Sequence, residues 1–303
     1  MIINLFSRNT ETSSPETLFM FNQVVAWALR EAFTKIGIET RFVSDNQFWD
    51  GDIPEADHSI VISNFVMSAI RDDPALHQKM RAATNGKMAL YLDSDYAHWW
   101  RLFDHVFTIV EPLRSETQYV YAGWGANPST FYPDQEDKAI FINSLLYGKW
   151  NGKFDYVYDD IRDIFHISEE QLNGKKPVIH KTTIDGMEIT VYLPVPVFRG
   201  NVVPWSDFRH IQRKCHFYFC TQLGESALTR IESATCGSLL VVPKPLLRPR
   251  TMDSMEHVVY ETRQELIEIL KTKTDIKAIR EKALENSWDK VVRRMLLCLG
   301  SQT

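Results

Sequence analysis

Two glutamates stand on either side of a predicted helix start in residues 224–244, where an apolar strand pattern gives way to a helical one. Glu225 lies in the loop, Glu232 lies within the helix, and Gly237 follows before the next apolar run. Carboxylates accept hydrogen bonds from hydroxyl groups, and a helix N-terminus offers free N–H groups to a diphosphate. The segment therefore predicts a site that binds sugar hydroxyls and a diphosphate. A capped surface helix followed by a buried strand is the alternative interpretation.

A second group of chemically capable residues lies in the turn YLDSDYAHWW, residues 91–100. A carboxylate at a strand end that faces a cleft can act as a general base and take the proton of an attacking hydroxyl. Asp93, Asp95 and His98 are the candidates for this role. Strand-end aspartates also serve as turn formers or caps, which is the alternative here. The pair Asp93 and Asp95 also fits a metal-binding acidic motif, but nothing else in the sequence demands a metal.

Two short runs are basic and could contact the phosphates of a nucleic acid. Their candidate residues are Arg209, Arg213 and Lys214 in the first run and Lys244, Arg248 and Arg250 in the second. Solvated surface residues are the alternative for both runs. If a target base is extruded from the duplex, we expect the loop at residues 65–71 to supply an apolar residue that fills the gap.

Apolar segments alternate with helical patterns along the chain, which is typical of parallel sheets wrapped by helices. Strands are predicted at residues 2–6, 40–44, 58–63, 87–92, 106–110, 138–144, 178–180, 188–193, 216–221 and 238–242. Helices are predicted at residues 17–35, 73–84, 154–165, 205–214, 227–235, 260–270 and 275–299.

A segment rich in Gly and Pro, residues 123–133, interrupts this pattern and predicts a crossing between two domains. We expect one domain at residues 1–125 and a second at residues 126–280. Residues 281–303 form a C-terminal helix whose crossing back to the first domain is left open. A ligand in two such doubly wound halves is expected at the carboxyl ends of the strands, in the cleft between them.

The composition excludes several classes of protein for this chain. The formal net charge of −5 argues against a generic nucleic-acid binder, although a local basic patch remains compatible with it. No apolar run reaches the roughly 18 residues that a membrane span needs, and no secretory leader is predicted. Four cysteines without a CxxC pair fit free thiols in a reducing cytosol. We therefore expect a cytoplasmic protein, in the host cytoplasm if it is viral, that is a monomer or a weak dimer.

The acidic segment at residues 224–244 resembles the donor-site motif of GT-B glycosyltransferases, whose fold has two Rossmann-like doubly wound domains facing a central cleft. The resemblance implies that residues 1–125 bind the acceptor and residues 126–280 the nucleotide sugar. It also implies that Glu225 contacts the donor hexose and Glu232 the ribose hydroxyls. Residues 138–154 resemble the first strand and loop of the same donor domain, which implies that Lys149 and Lys153, with Ser144 at the strand end, hold the pyrophosphate. Residues 256–270 and 287–288 resemble its closing helices.

A narrower resemblance is to the DNA glucosyltransferases of tailed bacteriophages, and it rests on SSPETLFMF, SIVISNF, YLDSD and TRIE. It implies transfer of a sugar, with glucose as the leading candidate, from a UDP-sugar to a hydroxymethylated pyrimidine in double-stranded DNA. Asp95 would be the base, as in the inverting type, and Arg230 would approach the diphosphate. A divalent cation is expected only as a loosely held ion. The alternatives are a GT-B enzyme with a glycan, lipid or small-molecule acceptor, and a degenerate GT-B scaffold without activity.

Overall fold

The computed structural model describes residues 1–7, 21–62, 64–92, 100–108, 118–135, 138–142, 155–173, 178–193, 205–220, 228–246 and 255–300. The contacts within the chain divide it into two units. The first unit comprises residues 1–125 and 288–303, and the second comprises residues 126–287.

Each unit contains a six-stranded sheet within the described residues. The strands of the first unit are β1 Ile2–Phe6, β2 Glu39–Val43, β3 His58–Val61, β4 Met88–Leu92, β5 His105–Thr108 and β6 Tyr119–Tyr121. The strands of the second unit are β7 Ala139–Ile142, β8 Val178–Ile184, β9 Met187–Leu193, β10 Phe217–Phe219, β11 Leu239–Pro243 and β12 His257–Tyr260.

The helices of the described residues alternate with these strands. In chain order they are α1 Phe21–Lys35, α2 Asp45–Asp50, α3 Asn64–Asp72, α4 Pro74–Ala82, α5 Asp155–Phe165, α6 Glu169–Asn173, α7 Trp205–Lys214, α8 Leu228–Thr235, α9 Arg263–Lys271, α10 Ile276–Ala283 and α11 Trp288–Leu299. Short 3₁₀ turns occur at Trp100–Leu102, Lys244–Leu246 and Leu284–Asn286.

The sheet of the first unit is entirely parallel, in the order β2-β1-β3-β4-β5-β6. The chain leaves β1 toward β2 on one side and then returns to β3 on the other, so the topological switch point lies between β1 and β3. Its apolar core includes Phe6, Phe48, Val61, Leu90 and Val106, all buried. Covering helices bury both faces of a parallel sheet, which is why its strands read as continuous apolar runs.

The sheet of the second unit has the order β12-β11-β10-β7-β9-β8 and is parallel except for the antiparallel pair β8–β9. Residues Asp185 and Gly186 both have positive φ, 48° and 79°, which is the conformation of the two-residue turns that match strand twist in hairpins. Beyond the hairpin the chain crosses to the other side of β7 and forms β10. The switch point of this sheet therefore lies between β7 and β10.

Two helical predictions were wrong. Residues 275–299 do not form one helix: α10 ends at Ala283, a 3₁₀ turn follows, and Ser287 is extended before α11 begins. The backbone N–H of Ala126 donates to the carbonyl of Asn286 over 3.1 Å, and Ala126 pairs with Ser287 as an isolated parallel bridge. These long-range contacts favour extended backbone where the local sequence favours helix.

The second error concerns Tyr260, which was predicted to begin a helix but is the last residue of the edge strand β12. The helix α9 begins only at Arg263, where Thr262 and Glu265 form a capping box. The expected loop at residues 65–71 also differs, because these residues belong to α3. Its Val66, Ala69 and Ile70 are buried in the core and cannot fill a gap in a DNA duplex.

Candidate functional site

The predicted donor residues follow, in the sequence, the two strands that flank the switch point of the second sheet. Ser144, Lys149 and Lys153 follow β7 in the chain, and Glu225 lies between β10 and α8. All four lie outside the described residues. Since β7 and β10 are parallel neighbours, with Ile142 opposite Phe219, their carboxyl ends meet at one edge of the sheet. This edge is the ligand-binding position of a doubly wound sheet.

The helix α8 carries the other two predicted donor residues, Arg230 and Glu232, and both side chains are buried, with exposed fractions of 1% and 2%. The helix ends at Thr235, and Gly237 follows it with a φ of 85°, the left-handed conformation that glycine adopts without steric cost. A Cβ at this position would lie 2.5 Å from Cγ2 of Ile276, so the close approach of α10 also requires glycine. Together these contacts fix how α8 lies between β10 and β11.

The carboxylate of Glu232 accepts a hydrogen bond from the side-chain amide of Gln212 on α7, with 3.2 Å between Oε2 and Nε2. The same amide nitrogen lies 3.3 Å from the carbonyl oxygen of Thr229 and 3.3 Å from Oγ of Ser233. Gln212 has no exposed surface. A buried carboxylate needs donors that compensate for its lost hydration, and Gln212 supplies one.

The start of α8 is also held by β10. The hydroxyl groups of Tyr218 and Thr229 lie 2.9 Å apart and form a hydrogen bond. The side chains of Gln212 on α7 and Tyr218 on β10 thus both bond to the first turns of α8. The helix that carries the predicted ribose and diphosphate contacts is thus fixed at the sheet edge.

Arg230 brings a positive charge to this region, and this charge lowers the pKa of the thiol of Cys220, the residue directly after β10. Burial raises the pKa of Cys220 to about 11, and the nearby charge of Arg230 opposes that rise. Burial and the charge of Glu232 both raise the pKa of Cys236, at the other end of α8. Both thiols therefore stay protonated at neutral pH and are not nucleophiles.

Of the predicted DNA contacts, Arg213 and Lys244 have partners within the protein. The guanidinium of Arg213 donates from Nε to the carbonyl oxygen of Thr130 over 2.8 Å and stacks over the ring of Tyr132, 4.1 Å from its centroid. The ammonium of Lys244 forms an exposed ion pair with Glu261 over 2.5 Å.

The other predicted DNA contacts divide between described and undescribed parts of the chain. Arg209 and Lys214 lie on α7 and are partly exposed. Arg248 and Arg250 lie outside the described residues.

The candidates for the general base follow β4 of the first unit. Asp93, Asp95 and His98 lie outside the described residues. In the sheet order, β4 neighbours β3, and β3 neighbours β1, so the segment that follows β4 begins one strand away from the switch point of that sheet.

Three residues near the site were not predicted from the sequence: Gln212, Tyr218 and Arg280. Arg280 on α10 donates to the carbonyl oxygens of Phe131, Thr235 and Pro128. Gln212 had a detectable signal, because it falls four residues after Phe208 and seven after Trp205, on the apolar side of a helical pattern. A polar residue in that stripe predicts a buried polar contact. No comparable signal pointed to Arg280, whose partners are distant in sequence.

Among the residues with described positions, no three of the types His, Cys, Asp and Glu come together as a group that could hold a metal ion. No described helix is long and apolar enough to cross a membrane.

No protein-family model matches the chain, and no curated protein matches it in sequence. Solved structures do match it. An alpha-glucosyltransferase in complex with UDP aligns over 99% of this chain and 100% of that chain, with a TM-score of 0.61 and 11% identity. An alpha-glucosyltransferase in complex with UDP-glucose and DNA containing an abasic site gives the same coverage and TM-score at 12% identity. A third, in complex with UDP and a 13-mer DNA containing an HMU base, has a TM-score of 0.58 and 12% identity over 99% and 100% of the two chains. At such low identity the likeness establishes the fold, and this chain therefore has the GT-B fold with two Rossmann-like units.

Proposed function

We propose that this chain is a glycosyltransferase that transfers glucose from UDP-glucose to a hydroxymethylated pyrimidine in DNA. The observation that carries the proposal is the attachment of the predicted donor residues to β7 and β10, the strands that flank the switch point of the second sheet. Ligands of doubly wound sheets bind at that point. The full-length likeness to alpha-glucosyltransferases solved with UDP, UDP-glucose and DNA supports the same classes of ligand here.

In the proposed donor complex, the uridine ribose lies against α8, where Glu232 accepts hydrogen bonds from its hydroxyls. Arg230 and the lysines at 149 and 153 neutralise the diphosphate, and Glu225 contacts the glucose. Since Arg230 and Glu232 have almost no exposed surface, UDP must displace atoms that now cover them. Binding is therefore coupled to a local rearrangement at this edge of the sheet.

In the proposed reaction, Asp95 takes the proton of the acceptor hydroxymethyl group. The resulting oxygen forms a bond to C1 of glucose while the bond between C1 and the UDP oxygen breaks. The departing UDP carries the negative charge, which the cations of the donor site stabilise. Charge and atoms balance without a redox partner. A divalent cation enters this proposal only as a loosely held counter-ion of the diphosphate.

The acceptor is argued from chemistry and from surface charge. A substituent on C5 of a pyrimidine lies in the major groove, where an enzyme can reach it. Because the net charge is −5, DNA must meet a local basic surface, and we assign that surface to the part of α7 around the partly exposed Lys214. Arg213 and Lys244 would first have to leave their protein partners.

The test is transfer of radiolabelled glucose from UDP-glucose to duplexes that contain hydroxymethylcytosine or hydroxymethyluracil, with unmodified duplexes as the control. The proposal predicts label only in the hydroxymethylated duplexes. Label transferred to a glycan, a lipid or a small molecule, and to neither duplex, would overturn the DNA acceptor and keep the enzyme class. If UDP does not bind at millimolar concentration in calorimetry, the chain is a scaffold and the whole proposal fails.

A further inference from the structure

Gln212 occupies a position that the proposed reaction does not yet use. Its side chain is fully buried on α7, and its amide nitrogen lies within 3.3 Å of three acceptors on α8: the carboxylate of Glu232, the hydroxyl of Ser233 and the carbonyl of Thr229. An amide nitrogen has two hydrogens to donate, so these three acceptors share them. The contact with Glu232 is the strongest of the three, because its acceptor is charged.

We propose that Gln212 is a positioning residue that orients the Glu232 carboxylate for binding the ribose hydroxyls of UDP, an inference that rests on the proposed function. A glutamate side chain has three rotatable bonds, and one hydrogen bond from a fixed donor selects among its rotamers. Gln212 is itself fixed by burial and by its contacts with Ser233 and Thr229. The donor thus restrains the carboxylate before the nucleotide arrives, which lowers the entropic cost of binding.

The oxygen and the nitrogen of this amide differ in their contacts. Oε1 of Gln212 is buried and, among the described residues, receives no hydrogen bond, as is also the case for Oε1 of Gln135. The nitrogen, by contrast, donates to the Glu232 carboxylate, whereas the amide nitrogen of Gln135 donates to backbone carbonyls. Only the ionised carboxylate accepts from both ribose hydroxyls without donating a proton itself.

The experiment compares two nucleotides in wild-type protein and variants by calorimetry: UDP and 2′-deoxy-UDP. A site built to bind the 2′-hydroxyl discriminates strongly against the analogue that lacks it. In Gln212→Met, which keeps the volume and removes the donor, we expect the Kd for UDP to rise about tenfold, the scale of a lost hydrogen bond to a charged group. The Kd for 2′-deoxy-UDP should change much less, so the ratio of the two constants shrinks.

The matched control is Gln135→Met. Gln135 donates from Nε2 to the carbonyl oxygens of Cys215 and Cys236, over 2.6 and 3.2 Å, and its amide bonds only to backbone. This variant should lose stability without changing the ratio of the two dissociation constants. In turnover, Gln212→Met should raise the KM for UDP-glucose more than it lowers kcat, and Gln135→Met should alter neither by as much as twofold.

If Gln212→Met does not fold, Gln212→Asn serves as the second variant, since its amide is one methylene too short to reach Glu232. It should reduce the discrimination in the same way. If a folded Gln212 variant binds UDP and the ratio of the Kd values for 2′-deoxy-UDP and UDP is unchanged, the inference is overturned and the proposed function stays intact. Failure of the wild-type protein to bind UDP overturns both.

Discussion

The amide of Gln212 lies 3.2 Å from the carboxylate of Glu232, so the helix before β10 restrains an acidic residue on the helix after it. Both side chains are buried. The acid is therefore part of a fixed network and not a solvated surface group. Removing it has two separable consequences, one for folding and one for binding.

Glu232→Ala leaves the Gln212 amide without its charged acceptor. The amide nitrogen keeps Thr229 and Ser233 as acceptors. We therefore expect the free energy of unfolding to fall by about 1.5–3 kcal/mol, the usual contribution of a hydrogen bond to a charged group. We also expect at least about a tenfold weaker affinity for UDP, since a hydrogen-bond acceptor for the ribose is lost. Urea unfolding and calorimetry measure the two effects.

Glu256→Ala is the control for that variant, because the side chain of Glu256 forms an exposed ion pair with Lys282, over 2.9 Å. Such a change should stay within about 0.5 kcal/mol and leave UDP binding unaltered. Equal UDP affinity in wild type and Glu232→Ala would remove Glu232 from the donor site.

Arg280→Met tests the arginine that joins distant segments of the second unit. Arg280 donates to the carbonyls of Pro128, Phe131 and Thr235, which lie far away in sequence. We expect a loss of about 2–4 kcal/mol in the free energy of unfolding, because more than one partly buried carbonyl loses its donor. The exposed Lys244, paired with Glu261, gives the comparison: Lys244→Met should cost about 0–1 kcal/mol. Similar losses of unfolding free energy in both variants would contradict the role that we assign to the contacts of Arg280.

Asp104→Asn tests a carboxylate in the first unit by its pH dependence. Burial tends to raise the pKa of Asp104, but hydrogen bonds from the N–H of Met88 and from Arg81 outweigh it, and the pKa lies below its ordinary value of 3.8. The stability that this group contributes is present above the ordinary pKa and is lost as pH falls through the lower folded-state pKa. The difference in unfolding free energy between wild type and variant should be largest near neutral pH and shrink below about pH 4.

The control for the pH series is Asp72→Asn. Asp72 forms an exposed ion pair with the adjacent Arg71 over 2.8 Å. Pairs of this kind contribute little to stability, so the variant should match wild type near neutral pH. If the free energies of unfolding of wild type and Asp104→Asn change in parallel down to about pH 3, the carboxylate of Asp104 is not the source of the acid sensitivity.

Asp95→Asn tests the proposed base. We expect kcat to fall by about 10² to 10⁴, the usual contribution of general acid–base catalysis, with UDP affinity unchanged. A base that activates the acceptor for direct attack opposite the departing UDP inverts the anomeric centre, so α-linked UDP-glucose should give a β-linked product. The coupling constant of the anomeric proton in the product decides this. An α-linked product would remove Asp95 from the role of base.

Lys214→Ala tests the assigned DNA surface. If this ammonium contacts a phosphate, the variant should weaken binding to every duplex alike and reduce the slope of log K against log salt by about 1. Lys282→Ala, which removes a lysine paired with Glu256, should leave the slope unchanged. Binding by fluorescence anisotropy at several salt concentrations measures both, and an unaltered slope in Lys214→Ala would move the DNA surface elsewhere.

Strand cores such as Ile2–Phe6 and helices such as Trp205–Lys214 carry strong local patterns, and these predicted two doubly wound halves. The GT-B fold was implied by the resemblance of residues 224–244 to a glycosyltransferase donor site. Where local pattern and long-range contact disagree, the prediction failed. Nothing in residues 284–287 resembles a helix stop, and the break depends on Ala126, which is distant in the chain. The hairpin of β8 and β9 was predicted too short, although the Asp185-Gly186 pair between them is a known turn signal.

Some residues of the candidate site were predicted from the sequence, and others were not. A motif singled out Arg230 and Glu232, and the structure places both on α8. Gln212 and Arg280 escaped notice because their importance comes from partners that only the folded chain brings near. The roles of the residues in the loops after β4, β7 and β10 stay predictions.

The most direct measurement is a crystal structure of the protein grown with saturating UDP. The account predicts electron density for UDP at the carboxyl ends of β7 and β10, with the ribose within hydrogen-bonding distance of Glu232. Density for UDP at the sheet of the first unit, or a second unit without nucleotide at that concentration, would contradict it.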